Sequence, residues 1–206
     1  MKRLLTFLIL AFALRHSADA VVIYSGLQNI AIPTDYNGIY INIDNAATSG
    51  STILGWDINP FFGGAGLANS AAFQPARLAS GNLDPILRLN VGDVVGAGLN
   101  YSTGFGGSGD PVSYLGVAAN QFQVGSEGYL GFRFTTDASG GPYYGWMRVV
   151  FTNNTPGGLI KDWAHEDTGL QITISGVPEP SRVLLLGLGA AGFLQRRRRE
   201  KRQPVS

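Results

Sequence analysis

The chain has 206 residues, 29 of them glycine, with 11% aromatic and 14% charged residues and no cysteine. The missing cysteine excludes disulfides, cysteine-based zinc sites and thiol catalysis. The formal charge of +1 averages unlike pieces, because residues 21–176 hold five basic residues against eleven acids, a net −6, and such a domain repels nucleic acid rather than steering it.

Residues 1–20, MKRLLTFLILAFALRHSADA, read as a secretory signal peptide. Lys2 and Arg3 make a positive start, Leu4 to Leu14 is an apolar run, and Ala18-Asp19-Ala20 fits a small-x-small cleavage pattern. The run is short of the ~20 apolar residues that span a bilayer. Export through the Sec machinery and cleavage by signal peptidase would make Val21 the first residue and remove Arg15 and His16.

From residue 21 to 176 no long stretch has helical periodicity. Short β-prone runs alternate with Gly, Asn, Asp, Ser and Pro. In order they are VVIYSG, GIYINIDN, STILGWDINPFF, PILRLNVGDVV, YLGFRFTT, YYGWMRVVFTN and LQITISG. Asp35-Tyr36-Asn37-Gly38 signals a turn before the second run. In that run Ile39, Ile41 and Ile43 alternate with Tyr40 and Asn42, and in the fifth Leu130, Phe132 and Phe134 share one face. The glycine-rich stretches FFGGAGLANS and GAGLNYSTGFGGSGDP read as surface loops. This pattern predicts an all-β fold: a single β-sandwich, jelly-roll-like, over residues 21–176.

Chemistry-bearing patterns are sparse. His165 is the one histidine left after signal removal, and with Glu166 and Asp167 it reads as part of a solvated turn between strands. A glycosidase needs two facing carboxylates, one with a raised pKa. This domain offers only Glu127 and Glu166 as glutamates, and aspartates in turn-like contexts. No Gly-x-Ser-x-Gly elbow and no phosphate-cradling loop is present. Asp35, Asn37, Asp44 and Asn45 supply oxygens without a calcium-loop spacing. The expectation is a protein with no catalytic residues, no metal and no cofactor. Trp56, Trp146 and Trp163 are candidates for stacking on sugars, against the alternative of core packing.

The last segment is the most specific. Val177-Pro178-Glu179-Pro180-Ser181 precedes an apolar run from Val183 to Leu194, then Arg196, Arg197, Arg198 and Arg199. Twelve residues of helix rise about 18 Å, well short of the ~30 Å hydrocarbon core, so a helix here makes a marginal anchor. The arginines hold the tail cytoplasmic and leave the domain before it on the exported side. Pro178 and Pro180 keep the motif extended, as a protease needs.

This three-part ending closely resembles the PEP-CTERM sorting signal, over residues 177–202. The resemblance implies export by an exopolysaccharide-producing Gram-negative bacterium and recognition by the membrane protease-transpeptidase exosortase at the Pro-Glu-Pro motif. Residues 128–174 also resemble a domain recurrent in such proteins, through Gly131-Phe132-Arg133-Phe134, Tyr144-Gly145-Trp146 and Trp163-Ala164-His165-Glu166. A tyrosine often stands there at the position of His165.

These readings converge on an exported, non-enzymatic cell-surface or extracellular-matrix protein, with the inner membrane as a transient partner. The alternative is a glycan-binding β-sandwich module of the exopolysaccharide matrix. A polysaccharide-degrading enzyme ranks third, for want of convergent carboxylates.

Overall fold

The computed structural model describes residues 21–79, 81, 84–101, 106–107, 116, 118–138 and 140–175. The signal peptide, the sorting motif and the short transmembrane helix expected from the sequence lie outside these residues. The chain divides into two compact units, Met1–Ile174 and Ser175–Ser206, and the fold described is that of the first.

The fold is all-β. The strands are β1 Val22–Tyr24, β2 Ile30–Ile32, β3 Tyr40–Ile41, β4 Thr48–Ser49, β5 Ile58–Phe61, β6 Gly66–Asn69, β7 Phe73–Arg77 and β8 Arg88–Leu89. They continue with β9 Val94–Val95, β10 Asn100–Tyr101, β11 Gly106–Gly107, β12 Glu127–Phe134, β13 Tyr143–Val150, β14 Gly158–Glu166 and β15 Ile172–Thr173. The large sheet runs β1-β14-β13-β12-β7-β10, with β2 continuing β1 along β14 and β8 sharing the β12 edge with β7. A second sheet runs β11-β6-β5-β3-β4, and β9 pairs with β15. Among the described residues no helix is long and apolar enough to cross a membrane.

The centre of the large sheet is the antiparallel meander β12-β13-β14, three consecutive strands side by side. That order differs from the interleaved strands of the jelly-roll-like arrangement expected from the sequence. Both faces of the meander are covered, so two apolar clusters flank it. On one face Leu130, Phe132 and Phe134 of β12 meet Met147, Val149 and Trp163. Ile41, Ile58 and Leu67 of the second sheet close the same cluster. On the other face Tyr129, Tyr144 and Trp146 pack with Val95 of β9, Tyr101 of β10 and Ile172 of β15. The alternation read in YLGFRFTT therefore holds, but its second face is also covered rather than solvated.

Close packing sets which residues the strands tolerate. Gly145 on β13 lies where a Cβ would stand 2.4 Å from Phe132 Cζ and 2.6 Å from the Ala164 carbonyl oxygen. Only hydrogen fits between that ring and that strand.

Two stretches differ from their sequence reading. GLIKDWAHE, absent from the β-prone runs and with His165 and Glu166 at its end expected in a solvated turn, forms the longest strand, β14. A β-bulge explains why the pattern hid it: Arg148 faces Asp162 while Val149 faces Ile160, leaving Lys161 unopposed. The extra residue puts Ile160 and Trp163, three apart, in the same cluster, which breaks the period of two. The Lys161 carbonyl accepts from the Gln28 and Asn29 amides at 2.7 and 3.2 Å, in the break between β1 and β2. FFGGAGLANS is likewise not a surface loop. It holds the end of β5 and all of β6, and Gly63 through Leu67 are buried. A Cβ at Gly64 would come within 2.1 Å of the Phe151 ring, so glycine here permits contact with a core aromatic. The turn at 35–38 forms as read: Asp35 Oδ1 accepts from the Asn37 and Gly38 amides at 2.9 and 3.1 Å.

Candidate functional site

The tryptophans proposed for sugar stacking are mostly consumed by the core. Trp163 is 2% exposed and belongs to the cluster between the two larger sheets. Trp146 is 1% exposed on the opposite face, with Tyr129 edge-on at 5.5 Å and Tyr24 at 6.4 Å. Neither indole presents a face to a ligand, because covering the second side of the meander buries what alternation would have left outside. Trp56 is half-buried and meets Tyr40 edge-on at 5.2 Å.

His165 is not in a solvated turn. It lies on β14, 7% exposed, with its ring edge-on to Phe134 at 4.9 Å. Burial lowers its pKa, against the opposing pull of Asp44, Glu166 and Asp167. Glu166 is also buried, and its Oε2 accepts from the Thr168 amide and hydroxyl at 2.7 Å each. That carboxylate secures the chain as it leaves β14. Alternation sends His165 and Glu166 to opposite faces of the sheet, so the pair forms no joint acid-base or ligand set.

A carboxylate cluster went unnoticed in the sequence. Asp57 is 3% exposed, and its Oδ2 accepts from the Ile43 amide at 2.7 Å. Burial pushes its pKa up to about 7. The Ile43 hydrogen bond opposes the shift, and the charges of Asp44 and Asp137 add to it. Asp44 Oδ2 in turn accepts from the Asp137 amide at 2.7 Å, and the Asn42 amide group donates to Asp137 Oδ2 at 2.9 Å. The network ties residues 42–45 to the turn after β12. Its members stand far apart in the chain, so no local spacing announces it. Asp57 is shut away from any substrate, which makes the cluster a tertiary latch. Of the oxygens read as calcium candidates, Asp44 joins this network, Asp35 serves its own turn and Asn45 Oδ1 accepts from the Ala47 amide at 2.9 Å. Among the described residues no three ligating side chains are grouped to hold a metal ion.

A second buried charge sits on the other face. Asp162 is fully buried and forms an ion pair with Arg148, whose Nε donates to Oδ1 at 3.0 Å. Tyr24 OH donates to Asp162 Oδ2 at 2.8 Å. Burial first, then this bond to a carboxylate, pushes the Tyr24 phenol up to about 12. Three strands are linked here, β1, β13 and β14, and the carboxylate is satisfied on both oxygens, which is what makes its burial tolerable.

Val21, the expected first residue after signal cleavage, donates its backbone nitrogen to Asp167 Oδ1 at 3.0 Å. The other sequence-predicted site residues lie outside the described part: Ala18 and Ala20 of the cleavage pattern, Val177 to Ser181 of the sorting motif, and Arg196 to Arg199.

Comparison with known families gives one finding. A model of the PEP-CTERM protein-sorting motif matches residues 176–199, the segment singled out from its sequence. The match marks the chain as an exported protein targeted to exosortase that passes through a membrane on its way. No curated protein matches the chain, and no solved structure does.

Proposed function

We propose that the protein is a non-enzymatic component of the cell surface or extracellular matrix, exported as a precursor and sorted by exosortase at Val177-Pro178-Glu179-Pro180-Ser181. The match at residues 176–199 carries this reading. In it the signal peptide brings the chain to the Sec machinery and signal peptidase cuts before Val21. The apolar run from Val183 then holds the chain briefly in the inner membrane, with Arg196 to Arg199 on the cytoplasmic side. Processing releases the β-sandwich domain, or attaches it to envelope or exopolysaccharide material of a Gram-negative host.

The non-enzymatic part draws support from the geometry. The carboxyl group with the most catalytic-looking pKa, Asp57, is enclosed, and His165 is packed against Phe134. Stacking of glycans on Trp146 and Trp163 is not proposed, since both are core residues.

The test is to replace Pro178-Glu179-Pro180 by three alanines in the native host and fractionate the cells. The expected outcome is an unprocessed precursor retained in the membrane. Unchanged size and location of the variant would refute sorting through this motif.

A further inference from the structure

Arg133 stands apart from the other charges of this acidic domain. It lies on β12 directly opposite Gln74 of β7 and Tyr144 of β13. Its Nε donates to Gln74 Oε1 at 2.6 Å, and its guanidinium carbon sits 4.8 Å from the centre of the Tyr101 ring. Burial pushes the Tyr101 phenol up, and its hydroxyl donates to the Gly96 carbonyl oxygen at 3.1 Å, so the ring is neutral and fixed. Stacking and the Nε bond together hold the guanidinium in one plane. Among the described residues its two terminal nitrogens have no hydrogen-bond partner, and no carboxylate pairs with it. Arg148 and Lys161 are each paired with an acid, and Arg88, which has none among the described residues, spends its terminal nitrogens on Asn90 Oδ1 and the Glu127 carbonyl oxygen.

Arg133 also lines a cavity of about 310 Å³, together with Ala71, Ala72, Gln74, Phe134, Thr135 and Pro142. Because Gln74 gives its carbonyl oxygen to Arg133, its NH₂ group remains a donor, and the Thr135 hydroxyl is a further donor and acceptor. The alanines and proline add short apolar walls. This volume is at the small end of ligand pockets (~300–1,000 Å³), which suits one sugar-sized unit. A fixed guanidinium fork takes a carboxylate through two parallel hydrogen bonds, and the remaining polar groups suit hydroxyls. The surrounding net negative charge disfavours a densely charged polyanion.

We propose that Arg133, Gln74 and Thr135 form a binding site for a single carboxylate-bearing sugar unit, a uronate. The guanidinium takes the carboxylate and the two polar side chains take ring hydroxyls. The site is independent of the sorting motif and of the tryptophans.

The experiment titrates the full chain with sodium glucuronate and, in parallel, with glucose, followed by calorimetry. Glucuronate should bind in the millimolar range and glucose at least about tenfold more weakly, the factor expected for losing a charge-assisted hydrogen-bond pair. Arg133→Gln should lose glucuronate binding. Gln74→Glu supplies the missing acid partner from within, so it should also abolish binding while leaving thermal unfolding at least as high as in the native chain. Glucuronate binding absent at about 10 mM, glucose binding as tightly, or Gln74→Glu binding glucuronate like the native protein would each overturn the site.

Discussion

Replacing Asp57 by asparagine keeps the side-chain shape and locks it in an uncharged form. The asparagine oxygen can still accept from the Ile43 amide, as Asp57 Oδ2 does at 2.7 Å. The unfolded carboxyl titrates at 3.8 and the folded one at about 7. A folded pKa raised above the unfolded one means that the folded state holds its proton longer. The stability this contributes is fully present below pH 3.8 and is lost as pH rises through about 7. Three pKa units at 1.36 kcal/mol each make the loss about 4 kcal/mol, a large share of the ~5–15 kcal/mol that keeps a domain folded. Asp57→Asn should match the native protein near pH 4 and exceed it by up to about 4 kcal/mol near pH 8. Urea unfolding followed by fluorescence of the buried Trp146 and Trp163 measures this. His165 works in the opposite direction, since burial lowers its pKa, and its contribution is lost as pH falls below 6.5. It is common to both proteins and cancels in their difference. A native-minus-variant difference that stays flat from pH 4 to pH 8 would refute the account of Asp57 as a buried, proton-holding latch.

Two further substitutions probe the meander. Arg148→Ala strands a fully buried Asp162 and should cost about 3–5 kcal/mol in urea unfolding. Replacing Asp162 by leucine in the same chain should recover much of that, and no recovery would argue against desolvated charge as the cause. Gly145→Ala forces a methyl group against Phe132 and the Ala164 carbonyl and should destabilise by about 1–3 kcal/mol. Gly50→Ala, with nothing within 4 Å of the new methyl, is the control expected to stay near neutral in the same thermal scan.

Several of these features could be read along the chain because their physics is local. The alternation of Leu130, Phe132 and Phe134, the turn at Asp35 to Gly38, and the order of proline, apolar run and arginines at residues 177–199 each depend on near neighbours. The all-β class follows from the first two, and exosortase targeting from the third. Strand β14 escaped because one extra residue at Lys161 shifts its alternation, and because its charged residues Asp162 and Glu166 look like surface groups until their partners are seen. Strand β6 was hidden for a different reason: Gly66 within it and Gly64 before it serve close contacts with the Phe61 and Phe151 rings rather than loop freedom.

Exposure was decided in three dimensions. A strand read alone tells which residues share a face and not whether that face is covered. Here β9, β15 and Tyr101 of β10 cover the second side of the meander, and Trp146 became core instead of platform. Asp57 acquired its shifted pKa first from burial and then from the charges of Asp44 and Asp137, which the fold brings to it. Arg133 acquired its stacked, unopposed guanidinium in the same way, from Gln74 on one strand and Tyr101 on another. Pattern along the chain settled the type of structure and the exosortase-targeted export of the protein. Burial and charge neighbours, which depend on distant segments meeting, settled what each side chain can do.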